Sequence, residues 1–228
     1  MNYWLKHFNS NVSKSPENLL KQVGKTVNGV EVEQSQINLI VDTICSELNL
    51  NEQSRVVDLC CGNGLLTVEV ARHCNSVIGV DYSINLINVA SHVNSGDNIT
   101  YINSDIKNIH AKHLSKCDSV YMYEGLQHID NDAFFQVMDL LSTNSNILRI
   151  FIGGIPDNSC ISKYYDTEEK MAYYEKCEAK GTPHLGKWWD KSEIETIASH
   201  FGFEMKVIAQ NSNLYSTYYR FDCLLERA

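Results

Sequence analysis

The stretch that most constrains this chain is Val56-Val57-Asp58-Leu59-Cys60-Cys61-Gly62-Asn63-Gly64-Leu65-Leu66-Thr67, where an apolar run, two glycines and a new helical pattern follow without a break. Residues 55–59 are short and apolar, as suits a parallel strand covered on both faces. Gly62 and Gly64 permit the positive φ of a tight strand-to-helix turn, and helical spacing resumes at Leu65. A turn without side chains lets a ligand approach the backbone closely, and the helix start behind it offers unpaired N–H groups. The expectation is an α/β fold with a polar or anionic ligand group seated on this turn.

A nicotinamide fingerprint requires a third glycine three positions after Gly64, where Thr67 stands. The motif reads instead Asp58-x-Cys60-Cys61-Gly62-x-Gly64, followed by Val77-Ile78-Gly79-Val80-Asp81, the second acid 23 residues after the first. This combination resembles class I S-adenosylmethionine-dependent methyltransferases. The resemblance implies a Rossmann-like, seven-stranded, mostly parallel sheet with an antiparallel last strand, helices on both faces, and a lid inserted after the fifth strand. It implies further that Asp58 and the turn of Cys60, Gly62, Asn63 and Gly64 hold the methionine end of the cofactor. Asp81, with Tyr82 beside it, then grips the ribose hydroxyls, while Asp105 and the Ile106 N–H meet the adenine. Trp4, Lys25 and Tyr123 complete the expected cofactor set, the first two closing over the methionine end. No metal is expected.

At 228 residues the chain can bury one substantial core, and 43% hydrophobic with 21% charged residues is ordinary for a globular domain. We read one domain: an N-terminal helical cap (1–54), a cofactor-binding core (55–152), a lid insertion (153–189) and a C-terminal helix and hairpin (190–228). The net charge of −9 argues against sequence-independent nucleic-acid binding, which needs clustered Lys and Arg. No window approaches a membrane span and the first thirty residues are too polar for a signal peptide, so a cytoplasmic location without a membrane partner is expected. Eight cysteines without a C-x-x-C pair read as buried reduced thiols, and His110 with His113 as a solvated helix face rather than metal ligands.

Along the chain, Ser15-Pro16-Glu17 reads as the cap of a short helix that stops at Gly24, and Val27-Asn28-Gly29-Val30 as a turn. Ile37, Ile40, Val41, Ile44 and Leu48 form a helical stripe over 34–48. Residues 65–74 follow as the first crossover helix and 76–80 as the second strand. Ser83 caps the next helix; strands over 99–103, 117–123 and 146–152 follow, with a helix capped by Asp130 or Asn131 between the last two. Asp190-x-x-Glu193 opens a final helix as a capping box, before strands over 203–209 and 216–225.

The end of the fourth strand, Tyr123-Glu124-Gly125-Leu126-Gln127-His128, lies at the carboxyl edge, where open α/β sheets bind ligands. Glu124 and His128 are the two candidate general bases there. The aromatic-rich 153–189 segment and the final hairpin supply Tyr165, Tyr174, Lys187, Trp188, Tyr219 and Arg220 as candidate acceptor contacts. Arg220 sits in an apolar-aromatic run, so its guanidinium requires a partner: Asp222 or Glu226 nearby, or an anionic group on the acceptor. The expected activity is methyl transfer to an oxygen, or less favourably a nitrogen, of a small molecule. The rivals are a nicotinamide-linked oxidoreductase or epimerase and a noncatalytic cofactor-binding protein; oligomeric state is open.

Overall fold

The computed structural model describes residues 3–228. The chain opens on α1 (Tyr3–Lys14) and the four-residue α2 (Leu19–Gln22), then a small hairpin of β1 (Thr26–Val27) and β2 (Val30–Glu31), then α3 (Gln34–Glu47). Asn28 and Gly29 both take positive φ, 51° and 78°, as the turn between two hairpin strands requires. Ser15 does not cap the short helix as its sequence suggested. Asn18 does, accepting from the Lys21 N–H, because the helix begins only at Leu19; the Gln22 side chain donates to the carbonyls of Ser15 and Pro16. Nor was α1 itself visible in the periodicity; it packs on the α5 helix described next.

Strand β3 (Arg55–Leu59) is followed by α4 (Thr67–Val70), β4 (Ser76–Asp81), α5 (Ile84–Val93) and β5 (Ile99–Asn103), then α6 (Ala111–Leu114), β6 (Ser119–Tyr123), α7 (Asn131–Ser142) and β7 (Arg149–Pro156). Only four residues of the expected 65–74 helix are α-helical; Ala71–His73 continue as a 3₁₀ turn. Ser83 and Asp130 cap α5 and α7 through their side chains. His110 caps α6, and among the described residues no group of three or more His, Cys, Asp or Glu is arranged to hold a metal. All eight cysteines are free.

Beyond β7 come α8 (Ile161–Tyr164) and α9 (Glu168–Ala179), then α10 (Lys191–His200), opened by the Asp190/Glu193 capping box, and finally β8 (Phe203–Ile208) and β9 (Arg220–Arg227). The last strand begins at Arg220 rather than near 216, since Leu214–Tyr219 fold into successive turns.

The sheet runs β5-β4-β3-β6-β7-β9-β8, parallel throughout except for β9, which is antiparallel to both neighbours. Chain order reverses beside β3, so the carboxyl ends of β3, β4 and β6 open a crevice at the switch point. Alternate residues of β3 feed opposite layers: Val57 packs with Phe134, Met138 and Trp189, and Val56 with Ile37, Ile40 and Ile44 of α3. This is the Rossmann-like methyltransferase architecture, with helices on both faces. No helix among the described residues is long and apolar enough to cross a membrane.

Candidate active site

A cavity of about 610 Å³ occupies the crevice. Its floor is the end of β3 and the turn Cys60–Asn63; Asp81 and Tyr82 close the β4 side, Asp105 and Ile106 the β5 side, and Tyr123 to His128 the β6 side. The N-terminal segment forms the roof: Trp4, His7 and Phe8 from α1, and Val23 to Thr26 leading into the hairpin.

The turn is held open by strained or glycine backbone. Cys60 and Gly62 take φ of 61° and 57°, and a Cβ on Gly62 would come within 2.9 Å of Val23 Cγ1 in the roof. Gly64, expected to face the cofactor, is not part of the cavity wall. It takes φ of 78° and leaves room for the Tyr101 hydroxyl and Ala90, so its role is packing of the turn on β5 and α5. Asn63 is fully buried; its amide donates to Leu19 O and Gln22 Oε1, which fastens the roof to the turn.

The acids are pre-positioned. Asp81 accepts from the Gly62 N–H (3.0 Å) through Oδ2 and from the Ser83 N–H (2.8 Å) through Oδ1, so each oxygen keeps a further lone pair for a ligand. Burial pushes its carboxyl up to about 6, against those two backbone bonds. Asp58 accepts from the Thr67 and Tyr121 hydroxyls, both at 2.6 Å, and burial pushes it up to about 7. Thr67, which breaks the nicotinamide pattern, is thus a structural partner of Asp58.

Asp58 has a measurable consequence. The folded state holds this proton more tightly than the unfolded chain, so the contribution is fully present below pH ~4 and is lost as pH rises through about 7. Without cofactor, the Tm of the wild type should fall more steeply between about pH 4 and pH 7 than that of Asp58→Asn. Equal slopes would show that Asp58 titrates normally.

On the β6 side, Glu124 takes a φ of 52°, and each of its oxygens is engaged: Oε2 by Lys25 Nζ at 2.9 Å and Oε1 by the Tyr215 hydroxyl at 3.0 Å. Burial alone would raise its carboxyl, but Lys25 first, then Arg220 and Tyr215, outweigh it and hold it below the usual carboxylate range. This corrects the expectation of Glu124 as a base. Lys25 also lies 4.6 Å above the Tyr123 ring, whose hydroxyl has no partner among the described residues. His128 is packed against Trp4 and Phe8, ring centroids 4.2 and 5.2 Å away, and its Nδ1 has no partner among the described residues. Burial, with Arg220 assisting, pushes its imidazole down to about 3.

Arg220 reaches the same cavity, 8% exposed, and pairs with neither acid offered by the sequence. It donates to Gln127 Oε1 and to the Gly154 carbonyl, and its Nε has no partner among the described residues. Asp222 spends Oδ1 on the Gly154 N–H and Gln210, while Glu226 pairs with Arg149. The remaining acceptor candidates separate. Tyr165 and Tyr219 pack with Trp188 and Cys160 in an aromatic cluster and are absent from this wall, where Tyr164, His184 and Leu185 stand instead. Tyr174, Lys187 and Trp188 line a neighbouring cavity of about 450 Å³ that shares Trp4, Gln127 and His128 with the first. Lys187 is bound to Glu193 and Asn131 and lies over the Trp189 ring, so it is not an anion receptor. Tyr164 was missed because helical phase in the short α8 was not readable from sequence, and His184 because it stands in the loop after α9, where no periodicity marks it.

S-adenosylmethionine fits these residues: the turn leaves backbone open to it, and two buried acids retain lone pairs beside the turn. The sheet order is that of the Rossmann-like methyltransferase fold, and the cavity lies at its switch point. Residues 56–143 match a family described as "Methyltransferase domain". An S-adenosylmethionine-dependent methyltransferase from Anabaena variabilis superposes with TM-score 0.66 at 17% identity over 99% of this chain and 94% of that one. Magnesium protoporphyrin IX methyltransferase from Synechocystis, with bound S-adenosylhomocysteine, gives TM-score 0.62 at 18% identity over 92% and 88%. Among curated proteins, an uncharacterized RNA methyltransferase of Chlorobaculum tepidum is 30% identical over 79 residues, 33% of this chain and 16% of its own length. The curated relatives are thus matched over a third of their length or less.

Proposed function

We propose that this chain transfers a methyl group from S-adenosylmethionine to an oxygen of a small molecule that carries a carboxylate or phosphate. The observation that carries the reading is a single cavity with the acid-flanked turn on its β3–β5 side and the buried Arg220 on its β6–β9 side. The cofactor supplies an activated methyl on a sulfonium. The chain's residues hold the two partners in line and exclude water. Asp81 would bind the ribose hydroxyls, Asp105 and Ile106 the adenine, and the Cys60–Asn63 turn with Lys25, Tyr123 and Trp4 the amino-acid end. Arg220 would receive the acceptor's anion, and His128 faces the acceptor. The 153–189 segment serves as lid through Tyr164, His184 and Leu185.

The RNA-methyltransferase relatives offer a second reading. It is the weaker one, because a net charge of −9 opposes a phosphate backbone and the match covers a third of the chain. The Synechocystis structure, matched almost end to end, is named for a porphyrin substrate.

Titration calorimetry with S-adenosylhomocysteine tests the cofactor half, with NAD as the control. Asp81→Ala should weaken S-adenosylhomocysteine by roughly 2–3 kcal/mol, the scale of two charge-assisted hydrogen bonds, a loss of roughly 30–150-fold. An unchanged affinity in a folded variant, or tighter binding of NAD, would overturn the assignment.

A further inference from the structure

We propose that Gln127 is a specificity-determining residue: its side-chain NH2 group, turned towards the cavities by Arg220, donates to an oxygen of the acceptor that accepts hydrogen bonds without donating one. The inference rests on the methyltransferase reading above and adds to it a contact that no charge on the acceptor is needed to explain.

The orientation of this amide is forced. A guanidinium has donors and no acceptor, so the atom of Gln127 that faces it must be the amide oxygen. Arg220 Nη1 donates to Gln127 Oε1 at 3.1 Å, and the guanidinium is itself anchored on the Gly154 carbonyl. The amide nitrogen therefore points away from Arg220, because exchanging the two atoms would set donor against donor. Nε2 makes no hydrogen bond among the described residues, yet it is not sealed in as Arg220 Nε and Trp188 Nε1 are. Gln127 is otherwise buried, 6% exposed, and lines both cavities. A donor left unpaired in a cavity wall is satisfied by what enters the cavity, and an amide nitrogen can only donate. The entering atom is thus a hydrogen-bond acceptor.

The backbone behind the amide is fixed as firmly. The Gln127 carbonyl accepts from the Lys187 N–H at 2.8 Å, and the neighbouring Leu126 carbonyl from Trp189 Nε1 at 3.1 Å. The insertion clamps the turn while Arg220 of β9 clamps the side chain. A donor held from both ends has little freedom to lose when a ligand arrives.

Position assigns this donor to the acceptor rather than to the cofactor. The larger cavity holds the acid-flanked turn, Asp81 and Asp105; the smaller one touches none of them and is walled by Tyr174 and Trp188 of the insertion. Gln127 belongs to both, so a ligand that extends from the proposed methyl-transfer site into the smaller cavity passes it. Asp130 also lines both cavities, and its carboxylate favours a donating group. The two side chains therefore discriminate in opposite senses, which places the accepting oxygen at Gln127.

The test uses the intact chain labelled with nitrogen-15 glutamine and saturated with S-adenosylhomocysteine. Acetophenone and benzoate are the probes, one with a neutral and one with a charged accepting oxygen; isopropylbenzene, which has a methyl in place of the ketone oxygen, is the control. Either oxygen probe should move the Gln127 side-chain NH2 signals, recognised by their loss in Gln127→Glu, and isopropylbenzene should not. The tighter of the two probes tells a neutral from an anionic oxygen. Gln127→Glu keeps an oxygen on Arg220 but replaces the donor with a second oxygen, so the affinity of the tighter probe relative to isopropylbenzene should fall about fivefold or more, with S-adenosylhomocysteine affinity retained. A merely structural role would lower both affinities alike. In Arg220→Met the Gln127 signals should stop responding to the probe, and Arg220→Lys, which also presents only donors to the amide oxygen, should restore the response. Signals unmoved by both oxygen probes, absence of binding included, overturn the proposal, as does an unchanged affinity ratio or a loss of S-adenosylhomocysteine affinity in Gln127→Glu, or a wild-type response in Arg220→Met. Failure of the wild type to bind S-adenosylhomocysteine would instead remove the methyltransferase reading itself.

Discussion

Glu124→Gln should cost about 3–5 kcal/mol of stability and Lys25→Met a comparable amount, while the double variant should cost far less than the sum. The two side chains are 2.9 Å apart and almost wholly enclosed between the roof and the end of β6. Removing either leaves the other charged, buried and without its counterion, whereas removing both leaves neutral groups of similar size. The pair also has a pH signature. Burial pulls the Lys25 ammonium below its usual range, and Glu124 is the main group holding it up. In Glu124→Gln the unfolded chain therefore binds that proton more tightly than the folded one, so the deficit is largest near neutrality and shrinks as pH rises towards ~10. Urea midpoints for both single variants and the double variant, at two pH values, decide the matter. Additive losses, or single variants as stable as wild type, would show that the ion pair is solvated rather than buried.

That pair illustrates what the sequence could and could not disclose. The glycine turn was legible because its constraints are local: a strand, two glycines and an acid follow one another within a few residues, and the next acid closes the adjacent strand. The antiparallel course of the last strand was legible for the same reason, from the absence of a helix between it and β8. Lys25 and Glu124, by contrast, lie almost a hundred positions apart, and nothing near Glu124 in sequence marks it as already paired. Arg220 was recognised as a residue needing a partner, but its partners, the Gln127 side chain and the Gly154 carbonyl, come from β6 and β7. Aromatic composition singled out the 153–189 segment, yet not which ring of Tyr164-Tyr165 meets the cavity. That is a matter of phase in a helix of only four residues, too short for periodicity to report. The N-terminal helix escaped because its buried face is narrow, with Trp4 alone of its residues buried.

Gly186→Ala should destabilise the chain by roughly 3 kcal/mol or more and separate the insertion from the active site. The sequence gives no warning, since Gly186 stands among aromatics in what reads as a loop. In the structure its φ is 98°, a conformation L side chains rarely adopt, and its backbone lies flat against the Gln127 carbonyl. A Cβ there would sit far inside van der Waals distance of that oxygen and 2.9 Å from the carbonyl carbon; both are backbone atoms that cannot rotate away. The contact is also a hydrogen-bonded one, because the Lys187 N–H donates to the same Gln127 oxygen at 2.8 Å. Two residues further, Trp189 is fully buried; its Nε1 donates to Leu126 O and its backbone bridges to Asp157. Gly186 thus lets the returning end of the insertion dock on the 126–128 turn, which carries Gln127 and His128 into the cavity. Displacing it should move both, so binding of the proposed acceptor should fall further than that of the cofactor, whose proposed ribose and adenine contacts lie at the ends of β4 and β5. Denaturant titration followed by tryptophan fluorescence, together with calorimetry for S-adenosylhomocysteine, separates the two effects. A Gly186→Ala protein with wild-type stability would mean that the insertion docks by other contacts and that this crossing is not what holds it.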